Sequence, residues 1–293
     1  MIELISVEII GDTNQNYNYP SGICYDSKSD NFYIADMHNQ RVCWFNNITS
    51  ESGVLPNNIV TPAGEKKLER PLAVCVNESG TIYVADAGLN NIFYFSKAMN
   101  SFSPLTSKTQ LESELKMPAG VTVDERNNVY TNDYFNNRIC KIDIYGEISS
   151  LAKENSFSNI VKPFGVFYRK KKVYFADNGN NMVRFIDTET GIIHNIIPEK
   201  CGYDINAPIA VSVDAEDNIY VCEQRKIHII SKLTNRLYTI LDKEIWKKAA
   251  LRFGINYRIC HVGSLVIPHK NTIYWIDTIK GLVYKVAFSL VED

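Results

Sequence analysis

The stretch Pro20-Ser21-Gly22-Ile23, followed by Tyr33-Ile34-Ala35-Asp36, decides the fold because related copies of it recur along the chain. The copies begin at Pro20, Pro71, Pro118, Pro163, Pro208 and Val262. Their tyrosines, from Tyr33 to Tyr274, are spaced by 50, 47, 44, 46 and 54 residues. A repeat period in this range marks an architecture in which each copy forms one supersecondary unit.

Each copy has the composition of short strands joined by tight turns. In the first copy, the apolar runs at Ile23-Cys24-Tyr25, 31–35 and 41–45 are separated by polar turns. Val, Ile, Tyr and Phe favour strands, whereas Gly, Asn and Asp favour turns. Four short antiparallel strands in a unit of this length form a propeller blade. We therefore predict an all-β, six-bladed β-propeller with four-stranded antiparallel blades.

One further strand has no repeat of its own. Leu4–Ile10 precedes the first copy, and the chain ends soon after the apolar run Val283–Phe288. We predict that Leu4–Ile10 pairs with the third strand of the last blade and closes the ring, because closure removes exposed strand edges. The repeats then form a single domain over residues 1–293, with an insertion at about 242–261.

The bulk properties exclude several classes of function. A net charge of −2 over 293 residues gives no general attraction to nucleic acid or to an anionic membrane. The segment Met1–Ile5 lacks the features of a secretory signal, and no apolar run approaches the roughly 18 residues of a membrane helix. Seven cysteines without a Cys-x-x-Cys pair are interpreted as reduced. We expect a cytoplasmic protein without a membrane partner.

The repeat resembles the NHL family in its Pro-x-Gly opening and in its turn pattern Asp-x-x-Asn-x-[RK]-[IV]. Asp36–Val42 and Asp133–Ile139 fit this turn pattern, and Asp177–Val183 fits it closely, with Met182 at the basic position. The resemblance implies an NHL-type six-bladed propeller but no particular activity, because one fold supports many functions. More distantly, the chain resembles strictosidine-synthase-like and peptidyl-hydroxyglycine-lyase propellers, which implies addition, elimination or ring-closure chemistry.

The repeated acidic residue is predicted to be structural. It follows the second strand of each copy, where a carboxylate can accept backbone N–H bonds of its own turn. The residues concerned are Asp36, Asp86, Asp133, Asp177 and Asp277.

Residues that differ between the copies are candidates for a ligand site. In antiparallel blades, the loop leading into the first strand and the turn between strands two and three lie on the same rim, and function is often carried by such loops. The candidate substrate-binding residues there are Tyr19, His38, Arg70, Met117, Phe135, Lys162 and Arg225. Aromatic walls with few polar groups suit a small organic ligand, and the cations could hold a carboxylate. Alternatively, these positions are simply variable and solvated.

Three residues on this rim are candidate catalytic groups: Glu223, His261 and Tyr134. Glu223 replaces Asp at the end of a second strand, and the turn behind it is shortened. We expect its longer side chain to reach towards the axis, where burial would raise its pKa into the range of acid–base catalysis. Alternatively, Glu223 only compensates for the shorter turn. His261 and Tyr134 would assist proton transfer.

The insertion at 242–261 contains a predicted helix over Lys243–Leu251, with apolar residues at 245, 246 and 249. It leads into the sixth blade from the same rim, so it could roof the mouth of the channel, since long loops often form lids. The alternative is a helix on the side of blade five.

No cofactor or metal site is predicted from the sequence. The five histidines, His38, His194, His228, His261 and His269, are scattered along the chain, and no nucleotide-binding loop occurs. Cys24 and Cys75 are interpreted as small core residues of neighbouring inner strands.

Two functions are compatible with these features. The first is a small-molecule enzyme or binder with its pocket at the axial mouth, performing lyase-, cyclase- or hydrolase-type acid–base chemistry without a redox cofactor. The alternative is a protein-interaction scaffold that uses the same rim. Single-stranded RNA ranks behind a protein partner because the basic and aromatic residues are few and the net charge is −2.

Overall fold

Six small antiparallel sheets form the ring of a six-bladed β-propeller, as predicted. The computed structural model describes residues 2–11, 15–61, 64–106, 115–153, 159–196, 204–255 and 261–290. Within these ranges, no helix has the length and hydropathy needed to cross a membrane.

The strands of the first three blades follow the chain order. A free strand, β1 (Ile2–Ile10), comes first. Blade one contains β2 (Pro20–Asp26), β3 (Asn31–Asp36), β4 (Arg41–Asn46) and β5 (Ser52–Val54). The hairpin β6 (Asn58–Thr61) and β7 (Gly64–Lys67) precedes blade two, which contains β8 (Pro71–Val76), β9 (Ile82–Asp86), β10 (Asn91–Ser96) and β11 (Ser101–Pro104). Blade three contains β12 (Val121–Val123), β13 (Val129–Asp133), β14 (Arg138–Ile142) and β15 (Ile148–Ser150).

The remaining blades repeat this plan. Blade four contains β16 (Pro163–Arg169), β17 (Lys172–Asp177), β18 (Met182–Asp187) and β19 (Ile193–Ile196). Blade five contains β20 (Ala210–Val213), β21 (Ile219–Glu223), β22 (Lys226–Ile230) and β23 (Leu237–Leu241). The helix α1 (Lys243–Phe253) follows, and blade six contains β24 (Val262–His269), β25 (Thr272–Asp277) and β26 (Leu282–Leu290). The hairpin β6–β7 extends blade two to six strands, an addition that the sequence analysis did not foresee.

The strand β1 completes blade six, as predicted. It pairs antiparallel with β26, from Ile2 opposite Leu290 to Ile10 opposite Val283, with a register shift between Leu4 and Ser6. The strand begins at Ile2, two residues before the predicted start.

The core lies between the blades. The second strand of each blade is buried on both faces because each face packs on a neighbouring blade; in β9 and β13 every residue is buried. Between blades one and two, for example, Tyr33 and Val42 pack with Val74 and Val84. Apolar residues on both faces of the second strand therefore stabilise the ring.

The repeated carboxylates are structural, but they bind more than their own turns. Asp36, Asp86, Asp133 and Asp177 also hold the incoming loop, which we define as the segment leading into the first strand of each blade. Asp36 accepts the N–H of Asn18 at 2.7 Å, and Asp133 accepts the N–H of Lys116 at 2.7 Å. Asp177 likewise accepts the N–H of Val161 at 2.9 Å. These bonds fix the loops of the rim to the second strands.

Basic side chains complete these carboxylate sites. Arg41 contacts Asp36 at 2.8 Å, and Arg138 contacts Asp133 at 2.7 Å. In blade four Met182 occupies the equivalent position, and the guanidinium of Arg184, two residues later, contacts Asp177 at 2.8 Å. A buried carboxylate requires such partners because an unpaired buried charge is costly.

Asparagine side chains connect successive blades on this rim. Met117, Lys162 and Ala207, each of which precedes a proline, adopt positive φ values of 60°, 49° and 45°. Their N–H groups donate at 2.8 Å to the side chains of Asn90, Asn137 and Asn181, respectively. Each of these asparagines belongs to the preceding blade, so the bond stabilises a strained backbone and the contact between blades together.

Helix α1 lies on the outer side of the ring and does not roof the mouth. Asp242 caps its N-terminus by accepting the N–H of Ile245 at 2.8 Å, and Gly254 ends it in the left-handed conformation with φ 68°. Its buried face contacts β1 and β23, the outer strands of blades six and five. Trp246 stacks edge-on against Trp275 and Tyr284. The lid hypothesis is thus wrong for the helix, and residues 256–260 lie outside the described residues.

We predict that Trp246→Ala destabilises the protein by about 3–5 kcal/mol, because it opens a cavity in a fully buried aromatic cluster. Leu251→Ala is the matched control on the same helix, since Leu251 is 79% exposed and its loss should change stability by less than about 0.5 kcal/mol. Urea denaturation followed by far-ultraviolet circular dichroism measures both. Equal midpoints for the two variants would show that the helix does not hold blades five and six together.

Candidate functional site

A cavity of about 550 Å³ runs along the axis of the ring. The first strands of the six blades and the residues next to them form its wall. One end lies at the rim that carries Met37, Tyr134 and His261, which we call the mouth, and the far end lies near Tyr25 and Tyr168. This size is in the range of small-molecule sites.

One side of the mouth is apolar. Leu72, Ala87 and Ala119 form a buried cluster against which Met37, Met117 and Phe164 pack. We call this set the apolar arc, and it belongs to blades one to four. Apolar groups of a ligand would bind favourably to this surface because the contact removes them from water.

The other side of the mouth is polar and uncharged. Asn178, Gln224, His261 and Thr278 line the cavity from blades four, five and six, and we call them the polar arc. Asn178 donates to the carbonyl oxygen of Pro208 at 3.0 Å, which orients its side-chain amide. The mouth is thus apolar on one side and carries hydrogen-bonding groups on the other.

His261 and Thr278 carry unsatisfied polar atoms. The N–H of Thr278 donates to the carbonyl oxygen of His261 at 2.9 Å, so the two residues lie side by side. His261 Nδ1 and Thr278 Oγ1 are buried and have no hydrogen-bond partner among the described residues. An unsatisfied buried polar atom costs about 1–3 kcal/mol, so a partner from a ligand would be favourable here.

The imidazole of His261 is adapted to act as a base. Burial lowers its pKa from the usual 6.5, and Arg225 lowers it further, while Asp277 opposes the shift. The ring is therefore neutral at pH 7 and can accept a proton.

Tyr134 faces His261 from the opposite side of the ring, since blades three and six are three positions apart. It lies in the turn that follows β13 and lines the cavity. Its ring contacts Phe164 edge-on, with centroids 5.8 Å apart, and Phe135 at 5.0 Å. Aromatic packing thus holds the Tyr134 ring in place beside the apolar arc.

The prediction that Glu223 reaches towards the axis and has a raised pKa is wrong. Its carboxylate is buried away from the residues that line the cavity, and it accepts the N–H of Asn206 at 2.8 Å. His228 Nε2 lies 3.3 Å from the same oxygen. Burial raises the pKa of Glu223, but the contact with His228 and the N–H of Asn206 outweigh it, so the pKa lies below its usual 4.5. Glu223 therefore occupies the structural position of the repeated Asp, as the alternative interpretation held.

The predicted substrate-binding residues do not all meet in the cavity. Met117 belongs to the apolar arc, whereas the rings of Tyr19 and His38 contact each other outside the cavity, tilted and with centroids 4.4 Å apart. The remaining candidates are exposed and are not part of the lining: Arg70, Phe135, Lys162 and Arg225. The cations are consequently placed on the rim and not inside the cavity.

Asn178, Gln224, Thr278 and Phe164 line the mouth, and the sequence analysis did not select them. The first three directly follow the repeated acidic residue, at the same position as Tyr134 and Met37. This shared position was the signal that could have identified them.

The thiols on the axis are not adapted for catalysis. Cys24 and Cys75 line the cavity, but burial raises the pKa of both thiols above the usual value. A buried thiol remains protonated and is a poor nucleophile. Across the described ranges, no group of three or more His, Cys, Asp or Glu side chains could hold a metal ion.

Comparison with known sequences supports the repeat. The family model of the NHL repeat matches residues 17–45, the first copy, and together with the six-bladed ring this confirms the predicted resemblance. The chain has no significant match among curated protein sequences.

Solved structures share the fold at low sequence identity. A catalytically inactive histidine-to-alanine variant of virginiamycin B lyase from Staphylococcus aureus with quinupristin has 16% identity and a TM-score of 0.62, over 99% of this chain and 100% of that chain. A putative gluconolactonase has 12% identity and a TM-score of 0.65, over 97% and 92% of the two chains. A nidogen/laminin complex has 16% identity and a TM-score of 0.63, over 78% and 82%.

We predict that Glu223→Gln destabilises the ring by about 1–3 kcal/mol at pH 7, because it weakens the buried contacts to Asn206 and His228. Since the folded pKa of Glu223 lies below its usual 4.5, this contribution is present above that pH and is lost as the pH falls through the folded pKa. The difference from wild type should therefore shrink in acid, as measured by urea denaturation at several pH values.

The matched control is Glu189→Gln, which removes an ion pair between two exposed side chains, Glu189 and Lys171. It should change stability by less than about 1 kcal/mol. A Glu223→Gln variant as stable as this control at pH 7 would contradict the structural role of Glu223.

A separate prediction concerns the protonation of His261. Its NMR titration midpoint should lie below 6.5 because burial disfavours the charged ring. Arg225→Gln should raise this midpoint by removing a nearby positive charge. The ¹H–¹³C spectrum of the imidazole Cε1–H groups measures both, and His261→Gln assigns the signal. A midpoint above 6.5 would contradict the neutral ring.

Proposed function

We propose that the protein binds a small molecule in the axial cavity and performs acid–base chemistry of the lyase, cyclase or hydrolase type at its mouth. The observation that carries this proposal is the neutral, half-buried His261 beside a cavity of about 550 Å³. Its buried Nδ1 has no hydrogen-bond partner among the described residues. A neutral imidazole in such a cavity can remove a proton from a bound ligand.

The other mouth residues have distinct roles in this proposal. Tyr134, across the cavity from His261, is placed to donate a proton or a hydrogen bond to the ligand. Thr278 and Gln224 orient the polar part of the ligand, while the apolar arc binds its hydrophobic part. Glu223 has no chemical role and instead holds the incoming loop of blade five through Asn206.

The structural comparisons are compatible with this proposal. Propellers with the same fold include a lyase, solved with quinupristin, and a putative gluconolactonase. They support the idea that this fold can carry lyase or hydrolase chemistry; identities of 16% and 12% do not transfer a substrate.

The second candidate function is a protein-interaction scaffold, which the outer part of the rim favours. Phe135 is 63% exposed and Tyr19 is 41% exposed, and they share this rim with exposed Arg70, Lys162 and Arg225. Aromatic and arginine side chains are the residues that most often anchor protein interfaces.

Native mass spectrometry of the protein after incubation with a metabolite extract tests the proposed function. We expect a small molecule to be retained by the wild type and by His194→Gln, in which an exposed histidine on β19 is replaced. His261→Gln should lose most of the retained molecule because the imidazole at the mouth is gone.

Equal retention by wild type and His261→Gln would contradict a site at the mouth. If nothing is retained, the interaction scaffold becomes the better proposal. A protein pull-down that is lost in Phe135→Ala, but not in His261→Gln, would then support it.

A further inference from the structure

Aliphatic residues from every blade line the cavity below the mouth. Those at the equivalent position of each first strand are Ile23, Val74, Val121, Val166, Val211 and Leu265. Further from the mouth, Phe167 and Val266 line the cavity together with the protonated thiols Cys24 and Cys75. At the far end the wall is formed by Val76, Val123, Tyr25 and Tyr168.

The cavity is elongated. On β2 the lining extends from Ser21 to Tyr25, and on β8 from Leu72 to Val76. Four residues of an extended strand span about 13 Å, so the wall has at least this length along the strands. An extended chain of about ten carbon atoms has a comparable length.

Among the described residues that line the cavity, the buried side-chain atoms without a hydrogen-bond partner are at the mouth. His261 Nδ1 and Thr278 Oγ1 lie in the polar arc. Further along, Thr122 Oγ1 accepts the N–H of Tyr168 at 3.0 Å. At the far end, the hydroxyls of Tyr25 and Tyr168 donate to Asp30 and Glu125 at 2.5 Å and 2.8 Å. A ligand would therefore find its hydrogen-bond partners at the mouth.

In its described part, the wall carries no carboxylate, ammonium or guanidinium group. Of the described residues that line the cavity, none is Asp, Glu, Lys or Arg. The nearest predicted anion-binding residues, Arg70, Lys162 and Arg225, are exposed outside it. Moving an unpaired charge from water into such surroundings is strongly unfavourable, whereas an apolar chain gains free energy.

We propose that the cavity selects an uncharged, elongated amphipathic molecule, with a hydroxyl or carbonyl head at the polar arc and an apolar tail along the axis. This inference rests on the proposed function and names its ligand class. The head hydrogen-bonds to His261 and Thr278, and the tail displaces water from the aliphatic wall. We therefore no longer expect Arg70, Lys162 and Arg225 to hold a carboxylate of the ligand. The cavity instead favours a ligand with a neutral head.

Three linear probes of the same chain length, one neutral, one anionic and one cationic, test the ligand class. Isothermal titration calorimetry at pH 7 would compare 1-octanol with octanoate and octylammonium. We expect 1-octanol to bind at least about tenfold more tightly than either ion, because the ions lose hydration without gaining a partner. From 1-hexanol to 1-octanol, each methylene should lower the dissociation constant about fourfold, the factor that corresponds to about 0.8 kcal/mol per buried CH₂.

A variant with a blocked mouth tests whether 1-octanol binds in the cavity. Gln224→Trp puts a large side chain at the mouth on an exposed position, where it is compatible with folding. Ala215→Trp is the matched control, since Ala215 is exposed in the turn that joins β20 and β21 on the opposite rim. Binding of 1-octanol should fall at least about tenfold in Gln224→Trp and remain unchanged in Ala215→Trp.

The possible outcomes separate the ligand class from the proposed function. Tighter binding of octanoate, weakened by Arg70→Gln or Lys162→Gln, would overturn the neutral class and leave the site standing. Binding of 1-octanol that is equal in Gln224→Trp would place the probe elsewhere and overturn the inference. If no probe binds, the metabolite extract decides: a retained molecule overturns only the ligand class, and no retained molecule overturns the proposed function as well.

Discussion

A buried carboxylate at the end of the second strand is the interaction on which the rest of this structure depends. In blades one to five it accepts a backbone N–H from the incoming loop, and in three blades a guanidinium lies against it. The first residue after the carboxylate is held at the edge of the channel as a consequence. That residue lines the cavity in blades one, three, four, five and six, as Met37, Tyr134, Asn178, Gln224 and Thr278. The repeat thus uses an invariant structural element to present a variable side chain.

The fold could be predicted from the sequence because it depends on a pattern that is repeated six times. Alternating apolar runs and turn residues specify each blade, and the free segment around Leu4–Ile10 specifies how the ring closes. The hairpin β6–β7 was not predicted because it has no equivalent in the other copies, and its outer strand, Gly64–Lys67, is exposed along its whole length. A strand of this kind carries no hydrophobic pattern.

The candidate site was predicted only in part, for reasons of register and packing. The carboxylate of Glu223 lies beside His228, which has the register position that Arg184 has in blade four. Only the pairing of β21 with β22 places this histidine beside the carboxylate. Likewise, the pattern of helix α1 shows that one face is buried, but not that this face lies against β1 and β23. His261 and Tyr134 could be selected because both follow directly from the repeat alignment.

Closure of the ring by β1 and β26 affects how the protein folds during its synthesis. Ile10 pairs with Val283, so β1 is synthesised long before its partner strand β26. During that time five blades can form from local hairpins, while β1 keeps an unpaired edge that other chains could bind. Contacts between residues so distant in sequence form slowly, since the intervening chain must be ordered first. We therefore expect the buried seam under Trp246 to be the part of the molecule that assembles last.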